Sequence, residues 1–163
     1  MIFVLTGRGK GKTTSAVGMG IRAAGAGQKV LMIQFLKTGA SSENKVIKNI
    51  KNFDFKSFGR NGFASFNEKD ALLAKKAMRF LEQEAKKYKM IILDEINMAL
   101  HFNLLDSRDV LSFLETYARS KHIVLTGRGA KKEILAKADL ITEFKEIRHH
   151  FKQGIKAAKG IEC

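Results

Sequence analysis

The run Gly7-Arg8-Gly9-Lys10-Gly11-Lys12-Thr13-Thr14 concentrates the chemistry of this chain. Its three glycines let successive backbone N–H groups turn inward and form a nest for anionic oxygens. Lys12 adds a mobile positive charge, and Thr13 adds a hydroxyl of the kind that ligates Mg²⁺. Gly-Lys-Thr-Thr is the end of a phosphate-binding loop. The usual loop leaves four residues between its first glycine and Gly-Lys. Here Gly7 is followed by only three, residues 8–10, and Thr6 holds the position of standard spacing, so the loop is a contracted variant. A second element, Met90-Ile91-Ile92-Leu93-Asp94-Glu95, reads as an apolar strand that delivers two carboxylates to its end. One of them can hold Mg²⁺ directly or through water, as P-loop enzymes require. The expected ATP-binding residues are therefore Gly7, Arg8, Gly9, Lys10, Gly11, Lys12, Thr13 and Thr14, and the expected Mg²⁺ residues are Thr13, Asp94 and Glu95. These residues do not by themselves select a reaction. A hydrolase needs a group to position water, which Glu95 could do; a kinase needs an acceptor site and usually a lid.

The elements that must position these groups alternate. Strands are predicted over 2–5, 30–35, 90–93, 122–125 and 140–144, and residues around 53–58 alternate like a short strand inside a stretch, 37–66, that otherwise reads as loop. Helices are predicted over 12–26, from the N-cap Asn67 to about residue 87, over 107–118 and over 131–137. In the second of these, Leu73, Ala77, Leu81 and Ala85 fall four apart, with Phe80 beside them. Alternation of this kind implies an α/β fold, a mostly parallel sheet with helices on both faces. Parallel crossovers gather the carboxyl ends of the strands, and ligands bind there. Three such ends carry unusual chemistry: residues 6–14, Asp94-Glu95 and Thr126-Gly127-Arg128-Gly129. The string Leu-Thr-Gly-Arg-Gly occurs at 5–9 and again at 125–129, in flanks too different to be a duplication.

The chain has 163 residues, enough for a single nucleotide-binding domain over 1–163. A hydrophobic content of 45% supports a real core and excludes a wholly disordered protein. The formal net charge of +14 calls for an anionic partner. The lysine-rich stretches at 45–56 and 145–159 read as solvated faces that can attract such a partner. The lone cysteine, Cys163, can form neither an intramolecular disulfide nor a zinc cluster, which points to the reducing cytosol. Four apolar residues at 2–5 are too few for a signal peptide, and no apolar run approaches the roughly 20 residues of a membrane helix. His122 reads as structural and His101 as a loop or surface residue. His149 and His150 are adjacent on an extended chain, so their rings should point apart and not share a ligand. No Ser/His/Asp or Cys/His constellation emerges.

Several segments together resemble the P-loop ATP:corrinoid adenosyltransferases, the cob(I)alamin adenosyltransferase family. They are the contracted loop at 7–14, Arg22-Ala23-Ala24-Gly25-Ala26-Gly27, Gln34-Phe35-Leu36-Lys37, Leu93-Asp94-Glu95-Ile96-Asn97, Thr126-Gly127-Arg128-Gly129, Ala138-Asp139-Leu140-Ile141-Thr142-Glu143, and the tail from His149 to Glu162. The resemblance spans nearly the whole chain in order. It implies a RecA-like P-loop fold and a cytoplasmic enzyme with ATP as co-substrate, Mg²⁺ as cofactor and a corrinoid (cobalamin) as substrate. In the implied reaction cobalt(I) attacks the 5′ carbon of the ribose and triphosphate leaves. No protein nucleophile or general base is needed, because cobalt is the nucleophile. Catalytic roles follow for Lys12, on the leaving group, and for Phe63, which corresponds to an aromatic residue that helps displace the corrinoid's lower ligand. The family's Gly-Phe-x-Trp segment is Gly62-Phe63-Ala64-Ser65-Phe66 here, with Ser65 in place of the Trp, or Phe66 if it moves in by one residue. The sequence begins at the first strand, where the family commonly carries an N-terminal extension. A homodimer and an electron-donating flavoprotein are implied partners, with no membrane association. The main alternative is a small RecA-like ATPase that binds nucleic acid. That partner is not expected, because the basic residues are not interleaved with aromatics for base stacking. A nucleoside kinase would release ADP, and a non-catalytic ATP-binding regulator would form no product.

Overall fold

Every residue of Val30–Phe35 and of Met90–Asp94 is buried. Continuous apolar runs of this length suit strands covered on both faces. The structure, a computed structural model, describes residues 1–60 and 66–161. In chain order the strands are β1 (Ile2–Thr6), β2 (Val30–Phe35), β3 (Phe53–Phe58), β4 (Met90–Asp94), β5 (His122–Thr126) and β6 (Leu140–Glu143). The helices are α1 (Lys12–Gly25), α2 (Ser42–Ile47), α3 (Glu68–Glu84), α4 (Ile96–His101), α5 (Ser107–Tyr117) and α6 (Lys132–Leu135). A 3₁₀ turn, Ala85–Lys87, extends α3, and another lies at His150–Gln153.

The strands form one sheet in the order β3-β2-β4-β5-β1-β6, parallel throughout. Side chains alternate across it with period two. Leu31, Ile33, Ile91, Leu93, Ile123 and Leu125 point to the face covered by α3, α4, α5 and α6. Met32, Met90, Ile92 and Val124 point to the other, where Ala16, Val17 and Ala24 of α1 and Ile47 of α2 cover them. The small residues of α1 allow close approach: a Cβ on Gly20 would lie 2.6 Å from the Phe53 ring. This is the α/β fold of RecA-like P-loop domains, and it gathers the ends of β1, β2, β4 and β5 along one edge. No helix among the described residues is long and apolar enough to cross a membrane.

The structure corrects several expectations. The stretch after Lys37 contains α2 as well as β3, and α4 follows Glu95 at once; His101 lies at the surface, as expected, but as the last residue of that helix and not in a loop. The buried stripe of α3 runs through Ala74, Ala77, Met78 and Leu81, with Leu73 only half-buried. His149 and His150 do not point apart. The chain tightens into a 3₁₀ turn there, and their rings stack with centroids 4.5 Å apart.

Asn67 caps α3 in a reciprocal box: its side chain accepts from the Lys69 N–H, and its own N–H donates to Asp70 Oδ2 at 2.9 Å. Arg60 completes the arrangement, donating to both Asp70 oxygens from Nε at 2.9 Å and Nη2 at 2.8 Å. The guanidinium holds the Asp70 carboxyl below its ordinary range, with the Asn67 N–H assisting. A depressed folded-state value means stability that is fully present above the ordinary carboxylate range and is lost as pH falls through the lowered one. Acid unfolding of Arg60→Gln should therefore have its midpoint at higher pH than the wild type. Coincident acid curves, followed by circular dichroism, would refute the clasp.

Candidate nucleotide-binding site

The phosphate loop leaves β1 at Thr6 and enters α1 at Lys12. Gly7 (φ 97°) and Gly11 (φ 107°) take left-handed backbone that a Cβ would strain. The loop is pressed against the residue following β6. Gly9 N–H donates to the Phe144 carbonyl at 2.6 Å, and Phe144 N–H donates to the Thr6 carbonyl at 2.8 Å. A Cβ on Gly7 would stand 2.5 Å from the Phe144 oxygen. Gly7→Ala should consequently cost about 2 kcal/mol or more, from strain and overlap together. An unchanged thermal midpoint would show that the loop has another conformation open to it.

Gly11 has no side chain with which to cap α1. The first-turn N–H groups and the helix dipole are therefore left for an anion. Lys12 is 8% exposed, and its ammonium folds back to donate to the Gly9 carbonyl at 2.5 Å. Burial lowers its pKa; Glu95 opposes that shift, while Arg128 and Lys37 add to it.

Asp94, the last residue of β4, is fully buried and accepts four hydrogen bonds. Oδ1 takes them from Thr13 Oγ1 at 2.8 Å and Thr126 Oγ1 at 2.7 Å. Oδ2 takes them from Lys37 Nζ at 2.7 Å and Gln34 Nε2 at 3.3 Å. Sheet register explains Gln34, since β2 sets it directly opposite Asp94. The Gln34 amide is itself oriented, because its Oε1 accepts from Asn44 Nδ2 at 2.7 Å and Ser57 Oγ at 2.8 Å. Glu95 turns away from the strand at φ 63°, and its N–H donates to Thr126 Oγ1 at 3.0 Å. Burial is the main force raising the Glu95 pKa, and the Asp94 charge adds to it; Lys37, Lys12 and Arg128 pull the other way.

Lys12, Thr13, Asp94 and Glu95 thus meet at one edge of the sheet. Arg8, Lys10 and Thr14 lie exposed at the loop's rim. Gly62, Phe63 and Ser65 lie outside the described residues; Phe66, just beyond them, packs on Phe102 with ring centroids 4.6 Å apart. Sequence reasoning gave no site role to Lys37, Gln34, Thr126 or Arg128. Thr126 and Arg128 sit in a strand end whose Thr-Gly-Arg-Gly chemistry is itself a sequence signal, whereas Gln34 and Lys37 are marked in the sequence by the family resemblance alone. Thr13, Asp94 and Glu95 offer a hydroxyl and two carboxylates, hard oxygen donors of the type Mg²⁺ takes. A positive charge fits among them, because the Lys37 ammonium already lies there. Beside the loop is a cavity of about 420 Å³, lined by Gly9, Lys10 and residues 145–150.

Comparison with known proteins converges on one family. The profile of the ATP:corrinoid adenosyltransferase BtuR/CobO/CobP family matches residues 1–163. A corrinoid adenosyltransferase of Sinorhizobium sp is 37% identical over 173 aligned residues, covering 99% of this chain and 79% of that protein. Those of Pseudomonas aeruginosa and Escherichia coli K12 are 34% and 32% identical, each over 99% of this chain and over 83% and 85% of their own lengths.

Proposed function

The chain belongs to the ATP:corrinoid adenosyltransferase family, and from that premise we propose that this transferase moves the 5′-deoxyadenosyl group of ATP to cobalt(I) of a corrinoid, releasing triphosphate. The observation that carries the reading is the pairing of Thr13 with Asp94 at the mouth of the phosphate loop, beside Lys12. The cobalt(I) electron pair would form the bond to C5′. The C5′–O bond would break, and the triphosphate would leave with its electrons. Catalysis of such a step is stabilisation of charge developing on the leaving group. The loop N–H groups and Lys12 would bind the triphosphate, and the buried site would keep water from it. Thr13 and Asp94, with Glu95 nearby, would hold Mg²⁺, which would draw charge from the triphosphate oxygens. Thr126 and Gln34 orient Asp94 for that task.

We read residues 1–163 as a single nucleotide-binding domain working in the cytosol. The family resemblance supports a homodimer and a flavoprotein as electron donor. The same resemblance gives Phe63 a part in displacing the corrinoid's lower ligand. On that reading Phe63→Ala slows the reaction from cobalt(II) about tenfold or more, while the reaction from chemically prepared cobalt(I) is little changed. Equal losses from both would count against the role.

The reaction itself is tested anaerobically with MgATP and chemically reduced cob(I)alamin. A light-sensitive adenosylcobalamin spectrum accompanied by triphosphate is the expected result. ADP without a spectral change would sink the proposal in favour of a kinase or ATPase.

A further inference from the structure

The Lys37 ammonium lies where a divalent ion would. Its Nζ is 2.7 Å from Asp94 Oδ2, 3.1 Å from Thr13 Oγ1 and 4.0 Å from Glu95 Oε1. These are the same three residues whose oxygens suit Mg²⁺. The backbone that presents Lys37 is held firmly. Leu36 before it is buried and takes φ 59°, a left-handed conformation unusual for leucine. The Leu36 N–H donates to the Phe58 carbonyl at 3.1 Å, and Gly59 packs so close that a Cβ there would stand 2.2 Å from the Lys37 nitrogen. Strain retained in this way marks a position whose geometry is over-determined by its surroundings. The Lys37 side chain, by contrast, is 25% exposed and ends in a flexible stem. A fixed backbone with a movable charged tip is suited to exchanging one anionic partner for another.

We propose that the Lys37 ammonium is the resident counter-ion of the metal site in the nucleotide-free protein, and that an arriving divalent ion displaces it onto the triphosphate. The proposal rests on the Mg²⁺ reading given above. An ammonium and a divalent cation cannot both sit against Asp94 Oδ2 and Thr13 Oγ1, because two positive charges would share one buried carboxylate. A displaced Lys37 needs a new anion. The triphosphate, still anionic after one divalent ion has bound, would lie in the adjoining loop. Metal alone must therefore expel Lys37 with no compensating contact, whereas metal arriving with ATP supplies one. It follows that the metal and ATP each strengthen the binding of the other, by reciprocal linkage.

Mn²⁺ titrated into the full-length protein and read by electron paramagnetic resonance tests this without turnover. In the absence of nucleotide, Lys37→Met should bind Mn²⁺ about tenfold more tightly than wild type, a typical size for coupling between competing ligands. Lys37→Arg, which keeps the charge, should stay near wild type, and ATP should tighten Mn²⁺ binding less in Lys37→Met than in wild type. Lys37→Gln supplies the same comparison if the Met variant folds poorly. Equal affinities in wild type and the neutral variants, with Asp94→Asn still weakening Mn²⁺, would overturn the counter-ion role and leave the metal site standing. Mn²⁺ binding insensitive to Asp94→Asn would overturn both.

Discussion

Lys12→Ala is expected to lower turnover by about two to three orders of magnitude, the usual cost of removing one group that stabilises a developing anion, without lowering the thermal midpoint. The two halves of this expectation have one cause. Lys12 is 8% exposed, and burial depresses its pKa. Its hydrogen bond goes to a carbonyl, Gly9 O, rather than to a carboxylate. On the proposed function, the ammonium is thus held out of water for a charge that would arrive with the nucleotide. In the nucleotide-free protein it is a desolvated cation with weak compensation, and its removal relieves that penalty. A site kept ready for a ligand at the expense of stability behaves in this way. Steady-state kinetics with saturating MgATP, together with a melting curve, check both halves. Turnover within about tenfold of wild type would refute the assignment of Lys12 to the triphosphate.

β1, β2, β4 and β5 were legible because their apolar runs are continuous, β3 because Phe53 and Phe55 alternate with polar residues, and α1, α3 and α5 because each is long enough to show a cap or a period. The six-residue helices α2 and α4 were not. Fewer than two turns cannot establish a 3.6-residue repeat, and α4 begins directly after a strand end already occupied by Asp94 and Glu95. The same division runs through the site. Lys12, Thr13 and the carboxylate pair announce themselves by local spacing. Gln34 and Thr126 become site residues only through the alignment of β2 and β5 with β4, which places them against a carboxylate sixty and thirty-two positions away in the chain. Lys37 reaches Asp94 through the left-handed turn at Leu36, a conformation for which a leucine gives no sequence signal. The stacked histidines make the same point from the other side, since an extended-chain rule fails where the backbone tightens into a 3₁₀ turn.

Asp94→Asn should lower turnover steeply, as Lys12→Ala does, but unlike it should also destabilise the fold. The carboxylate is fully buried and receives hydrogen bonds from Thr13, Thr126, Lys37 and Gln34. Asparagine keeps one acceptor oxygen and turns an NH₂ group toward either two hydroxyls or an ammonium and an amide. Hydroxyls can rotate to accept, but Lys37 has no lone pair to offer. Breaking a buried pair from one side typically costs 3–5 kcal/mol; the partial exposure of Lys37, which lets it turn to solvent, puts the expected loss near the lower end, about 3 kcal/mol. For a domain of this size that corresponds to a fall in melting temperature of about 6–12 °C. On the proposed metal role, turnover should drop by about two orders of magnitude or more, because the anionic ligand proposed for Mg²⁺ and the anchor of the Thr13 hydroxyl would be lost together. A variant melting within about 2 °C of wild type would contradict the buried network, and one that kept near-normal turnover at saturating Mg²⁺ would contradict the metal role. Measured side by side, the two substitutions separate a charge stored for the ligand from a charge already satisfied by the fold.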